Sequence, residues 1–162
     1  MRTIAAAAAV LLASATAALA APASVTVSVS PELQAKAVKT LGVREVDDLA
    51  AQLQTRVAKQ LARRGAYDGA RVELVLADAQ PNRPTFKQMG DRPGLSYQSF
   101  GVGGAKIEGR AIGPGGAVTP IHYKYYETDI RQSRHGGTWS DAEDAFQRFA
   151  YDLGRGDAIA SR

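Results

Sequence analysis

The sequence predicts an α/β (α+β) fold: a two-layer sandwich in which two main amphipathic helices cover one face of a three- to five-stranded sheet. Three observations lead there. Residues 24–30 read S-V-T-V-S-V-S, a strict alternation of valine with small polar residues that marks a half-buried strand. Leu49, Leu53, Val57 and Leu61 recur every four residues, so they share one helical face. Ala142, Ala145, Phe146, Phe149, Ala150 and Leu153 make a second such face near the end of the chain. Two apolar helix faces need a surface to cover, and a sheet supplies it.

The elements follow in order. Ser30-Pro31-Glu32 combines a capping serine, a proline at the first helical position and an acid in the first turn. It predicts a short helix with Leu33, Ala37, Val38 and Leu41 on one face, stopped by Gly42. The long helix that follows is expected to be capped by Asp47 or Asp48 and to end with Arg63 and Arg64 before Gly65. Residues 71–78 (R-V-E-L-V-L-A-D) read as a strand with Val72, Leu74 and Leu76 on one face. Residues 80–104 then lose all periodicity and fill with proline and glycine. A loop this long within a compact domain is usually functional or disordered. Phe86, Met89, Tyr97 and Phe100 argue that this one packs on the domain, with residues 95–102 a possible strand. Residues 106–112 and 120–130 read as a hairpin turned by Gly113-Pro114-Gly115-Gly116. Ile121, Tyr123 and Tyr125 then face one way, and His122, Lys124 and Tyr126 the other. Ser140 and Glu143 stand at capping-box spacing for the last helix, which Gly154 and Gly156 end.

The first twenty residues have the order of a secretory signal. Arg2 is followed by an alanine-dominated apolar run to Leu19, and Ala18-Leu19-Ala20 supplies the small residues that a signal peptidase reads. The run is too short and too alanine-rich for a spanning helix. Cleavage after Ala20 or Ala23 is expected, leaving 21–162 as one small domain without a transmembrane segment, periplasmic or secreted. The chain of 162 residues has no cysteine, so disulfides, thiolate chemistry and a lipid-bearing cysteine are all excluded. Its 20 basic and 16 acidic residues give a net charge of +4, which loss of Arg2 lowers by one. No like-charged run reaches the length of a nucleic-acid-binding arm, so a nucleic-acid partner is not expected.

This layout resembles a class of small, largely uncharacterised bacterial envelope domains similar to the core of the curli-secretion-channel proteins and their lipoprotein relatives. The features that carry the likeness are the opening strand 25–29, the leucine-spaced helix ending at Gly65 and the strand 72–76. The segment Phe100-Gly101-Val102-Gly103-Gly104-Ala105, the turn at Gly115-Gly116 and the terminal helix complete them. Together they cover most of residues 24–153. The resemblance implies an envelope role and no catalytic residue. The missing lipobox cysteine departs from the lipoprotein members, so membrane tethering does not carry over.

No motif in the chain rises to a reaction. Gly101-Val102-Gly103-Gly104 superficially resembles a phosphate loop, but it leads into a strand and lacks a following Lys-Ser or Lys-Thr pair; a close backbone approach is the plainer account. His122 and His135 sit in no metal-ligand spacing, and no G-x-S-x-G elbow is present. The carboxylate pairs Asp47-Asp48 and Asp141-Asp144 are accounted for by helix starts. Arg131, Arg134 and His135 form a basic, glycine-hinged loop suited to an anionic ligand, against the plainer account of a solvated connection. Tyr97, Phe100 and Tyr126 are candidates for partner contact, since exposed tyrosine offers large area at low entropic cost, while Tyr123 and Tyr125 read as core. The expectation is therefore an exported, non-enzymatic envelope domain that binds another protein or itself, without a cofactor or metal. The alternative is a small ligand-binding protein or hydrolase built around His135.

Overall fold

The structure, a computed structural model, describes residues 21–133 and 136–156. The expected signal segment, Arg134 and His135 lie outside the described residues. Strand β1 (Ser24–Val29) alternates exposed serine or threonine with half-buried valine, as its sequence dictates. Ser30 ends it and caps helix α1 (Pro31–Lys36), its Oγ accepting the Leu33 N–H at 3.1 Å. The helix runs on as a π turn over Ala37–Leu41, closed by the Gly42 N–H donating five residues back to the Ala37 carbonyl at 2.8 Å. The wider turn keeps Leu33, Ala37 and Leu41 in line and buried, and it turns Val38, expected on the same face, out to solvent. Gly42, at φ 97°, reverses the chain straight into α2 (Val43–Arg64). Asp47 and Asp48 therefore lie inside this helix and do not cap it. Gly65 ends it in the left-handed conformation.

Strand β2 (Arg71–Gln80) pairs parallel with β1 across this helical crossover. Its register slips between Leu76 and Asp78. The extra residue inverts the alternation, so Ala79 enters the core while Asp78 faces the open side. The segment after β2 holds a short helix, α3 (Phe86–Asp91), where an irregular loop was expected. Residues 95–102 form no strand: hydrogen bonds from Leu95 to Arg92 and from Ser99 to Ser96 close them into turns. The hairpin β3 (Gly104–Ile112) and β4 (Val118–Tyr126) completes a four-stranded mixed sheet of order β1-β2-β3-β4, with β2/β3 and β3/β4 antiparallel. β4 stops at Tyr126 and not at Ile130, because the Glu127 carboxylate takes the N–H groups of Thr128 and Asp129 and folds the chain back. Helix α4 (Ser140–Arg155) follows. Its expected capping box is absent: Ser140 is already helical, and its hydroxyl bonds back to Gly137, accepting at 2.6 Å and donating at 3.1 Å.

The core lies between one sheet face and the two long helices. Leu49, Leu53 and Val57 of α2 and Phe146 and Phe149 of α4 are fully buried with Val72, Leu76 and Ile107 of the sheet. Tyr123 joins them, its ring 5.4 Å from that of Phe149. Gly109 is required by this packing, since a Cβ there would lie 2.2 Å from the Glu73 carbonyl oxygen. The opposite sheet face is polar and carries the ion pairs Arg110–Glu73 and Lys106–Glu108. No helix among the described residues is long and apolar enough to cross a membrane.

Candidate functional site

The topology gathers the connections at one end. β1 and β2 are parallel, and two antiparallel pairings return β4 to the same direction. Their three carboxyl ends therefore point one way, the end at which open α/β sheets place their binding sites. The π turn, α3, residues 92–103 and residues 127–139 all leave from there.

A buried polar lock holds this end together. Asn82, Ser133 and Asp141 are each nearly inaccessible, although they come from three separate segments. Asp141 Oδ2 accepts from Asn82 Nδ2 at 2.6 Å, from the Gly103 N–H at 2.9 Å and from the Ser133 hydroxyl at 3.1 Å. The Asp141 N–H donates to Asn82 Oδ1 at 2.8 Å. The main chain adds bonds from the Asn82 N–H to the Thr138 carbonyl and from the Gly101 N–H to the Asn82 carbonyl. Asn82 thus ties the chain after β2 both to the glycine segment before β3 and to the start of α4. Gly101 and Gly103 spend their amides here, so these two glycines do not cradle a phosphate as the likeness would require. Gly103 has no room for a side chain, because a Cβ would lie 2.7 Å from Asn82 Oδ1. Buried charge and amide groups are tolerable only when satisfied this fully.

A second tie positions α3. Thr85 Oγ1 accepts the Gln88 N–H at 3.2 Å while Gln88 Oε1 accepts the Thr85 N–H at 2.9 Å, a reciprocal capping box. Glu45, in the first turn of α2, takes the Phe86 N–H on one oxygen at 3.2 Å and the Trp139 indole N–H on the other at 2.9 Å. α3 is fixed to the body, yet its Phe86 side chain projects outward.

Apolar side chains are left exposed on this rigid base. Of the eight large exposed hydrophobic residues among those described, Val38, Val43, Phe86, Tyr97, Phe100 and Ile130 belong to connections at this end. Phe86 is 83% exposed, Phe100 50% and Tyr97 47%. Tyr97 is held by Arg83, whose guanidinium donates to the Tyr97 carbonyl at 2.6 Å and lies 5.0 Å from the ring centroid. Single exposed apolar residues are ordinary, but six of eight on the connections at one end is an uneven distribution.

Tyr97 and Phe100, two of the residues expected to contact a partner, are exposed at this end. Tyr126 stands elsewhere: it is half-buried on the open sheet face, its hydroxyl donating to Asp78 Oδ2 at 2.6 Å. Burial first, and then this bond to a carboxylate, raise the Tyr126 pKa well above the ordinary tyrosine value. Asp78 also accepts from Lys36 Nζ at 2.9 Å. Burial works to raise its pKa, but the Tyr126 bond and the Lys36 bond and charge outweigh burial, so the net shift is downward. Arg131 is exposed and closes a two-toothed contact on Asp129, with Nε–Oδ1 at 3.0 Å and Nη2–Oδ2 at 2.7 Å. Its expected companions Arg134 and His135 lie outside the described residues. Phe86 was read from sequence only as a reason for the loop to pack. Its capping box, Thr85-Phe86-Lys87-Gln88, was the signal that marks a helix there.

No protein-family model, curated protein or solved structure matches the chain. The geometry of this end is therefore the ground for a functional reading.

Proposed function

We propose that the protein is an exported, non-enzymatic envelope domain that captures a protein partner through the loop end of its sheet. One observation carries the reading: Phe86, Tyr97 and Phe100 are exposed, as are Val38, Val43 and Ile130, at the end where the buried Asn82–Ser133–Asp141 cluster ties the connecting segments to the body. Exposed aromatic side chains on an already ordered backbone lose little entropy on binding, which is the usual character of interface hot spots. The partner surface implied is apolar and concave enough to receive the Phe86 ring. Export is part of the same proposal and rests on the Arg2, apolar-run and Ala-Leu-Ala order of the first twenty residues and on the envelope-domain resemblance.

The test is affinity capture from the envelope fraction with the wild-type chain and with a Phe86→Ala/Tyr97→Ala/Phe100→Ala variant, each checked by thermal melting. Hot-spot truncations of this kind cost about 2 kcal/mol or more each, so the variant should lose its partner while melting close to the wild type. Undiminished capture by the folded variant would refute the reading.

A further inference from the structure

The two edges of the sheet are unlike. β4 carries Pro120, His122 and Lys124, residues that guard an edge against pairing with another chain. β1 is the other edge, with β2 on one side and no strand on the other among the described residues. It has no charge, proline or bulge. Val25, Val27 and Val29 lie on the core side yet stay only half-buried, because their apolar surface runs out at the edge.

The edge sequence is also its own complement. S-V-T-V-S-V-S over residues 24–30 reads the same in both directions about Val27, apart from the exchange of Thr26 with Ser28. We infer that β1 pairs antiparallel with β1 of a second copy, about a two-fold axis normal to the sheet that passes midway between the two Val27 residues. Val27 then meets Val27 of the other copy, Val25 meets Val29, and Thr26 meets Ser28. Val25, Val27 and Val29 stay on the helix side and Ser24, Thr26 and Ser28 on the open side, as an isologous interface demands. The result is one continuous eight-stranded sheet.

The helix layer permits this. α2 packs over β1. Gln60 and Arg64 lie on its flank toward Gly154 of α4. At about 100° per residue the opposite flank carries Asp47, Ala51, Gln54, Ala58 and Ala62, three of them with side chains of a single carbon. Small residues there let α2 approach its copy to the roughly 8–10 Å at which helices pack, while the strands sit about 4.8 Å apart. The pairing is independent of the loop-end surface, which lies at the carboxyl ends of the strands and stays open in the dimer.

The experiment is sedimentation equilibrium of the purified chain over a range of concentrations. The wild type should associate reversibly to a dimer. Thr26 and Ser28 are both exposed, so Thr26→Lys/Ser28→Lys leaves the monomer folded. It sets lysine against lysine twice across the axis and should weaken the dimer about tenfold or more. Thr26→Lys/Ser28→Glu sets lysine against glutamate twice and should restore it, which a dimer in any other register would not do. If the double lysine variant melts early, Thr26→Glu/Ser28→Glu applies the same repulsion with the opposite sign. The Phe86→Ala/Tyr97→Ala/Phe100→Ala variant should dimerise as the wild type does. A wild-type chain that stays monomeric overturns the proposal. So does a dimer indifferent to the double lysine change, a failure of the Lys/Glu pair to restore it, or a dimer lost with the loop-end aromatics.

Discussion

Removing the Asp141 carboxylate should loosen the loop end before it unfolds the sheet. Asp141→Ala deletes one oxygen that accepts from Asn82 Nδ2, the Gly103 N–H and the Ser133 hydroxyl. Each hydrogen bond to a charged group is worth about 1.5–3 kcal/mol, and a buried donor left unpaired costs about as much. The three are not additive: the Ser133 hydroxyl can still donate to the Gly101 carbonyl at 2.8 Å, and water can enter the space the side chain leaves. A loss of about 3–5 kcal/mol is therefore expected, a large part of the 5–15 kcal/mol that holds a typical domain. In melting temperature this is roughly 10–15 °C for a chain of this size. Ser133→Ala removes a hydroxyl that accepts from Asn82 Nδ2 at 2.7 Å and donates at this cluster, but it leaves the Asp141–Asn82 and Asp141–Gly103 bonds, so about 1–2 kcal/mol is expected. Hydrogen exchange separates local from global effects. In Asp141→Ala, the amides of Gly101 and Gly103 should lose protection by more than those of Val72 and Leu74 in the centre of the sheet. A melting shift of only one or two degrees, or equal loss of protection everywhere, would refute the view that this cluster locks the loops to the body.

Other outcomes follow from the same contacts. Gly109→Ala forces a Cβ against the Glu73 carbonyl and the backbone of Leu74, so the variant should lose more than about 3 kcal/mol or fail to accumulate folded, as read by denaturant titration. Tyr126→Phe should cost about 1 kcal/mol at neutral pH, less than a fully buried bond because the site is half open. The sign with pH is set by the shifts. The raised Tyr126 pKa, and that of Tyr123, which burial pushes up to about 12, mean stability complete below the ordinary tyrosine value and lost as pH rises through the folded ones. The lowered Asp78 pKa means stability present above the ordinary aspartate value and lost as pH falls through the folded one. Tyr126→Phe should therefore soften the alkaline decline, in melts taken across the pH range, without abolishing it.

The layers of the fold were legible because periodicity reports burial directly. The leucines of α2 and the phenylalanines of α4 recur at helical spacing, and the valines of β1 alternate, so which face meets which was fixed by the pattern alone. What pattern could not carry was any contact made by one polar residue across the chain. Asp141 sits at a helix start, where an acid has an ordinary reason to be, and nothing local reveals that it meets Asn82 across 59 residues of sequence. Tyr126 read as an exposed strand residue because its partner, Asp78, reaches the open face only through a bulge that strict alternation does not foresee. The helix starts were misplaced for a related reason. Gly42 can open a helix through its positive φ, which outbids the better side-chain caps at Asp47 and Asp48 once α1 has turned the chain into position. Phe86 marks the opposite case, a residue whose local capping box was readable and whose exposure was not.

The measurement that bears most directly on partner capture is site-specific photocrosslinking in the native cell, with a photoreactive residue placed singly at Phe86, Phe100 or Ile130 at the loop end, and at Val118 or Tyr151 at the other end. All five positions are exposed, so each probe can reach a partner. One discrete protein adduct shared by the three loop-end probes and missing from the two distant ones is the expected result. No adduct at the loop end, or equal adducts at both ends, would contradict the assignment of this surface as the docking site.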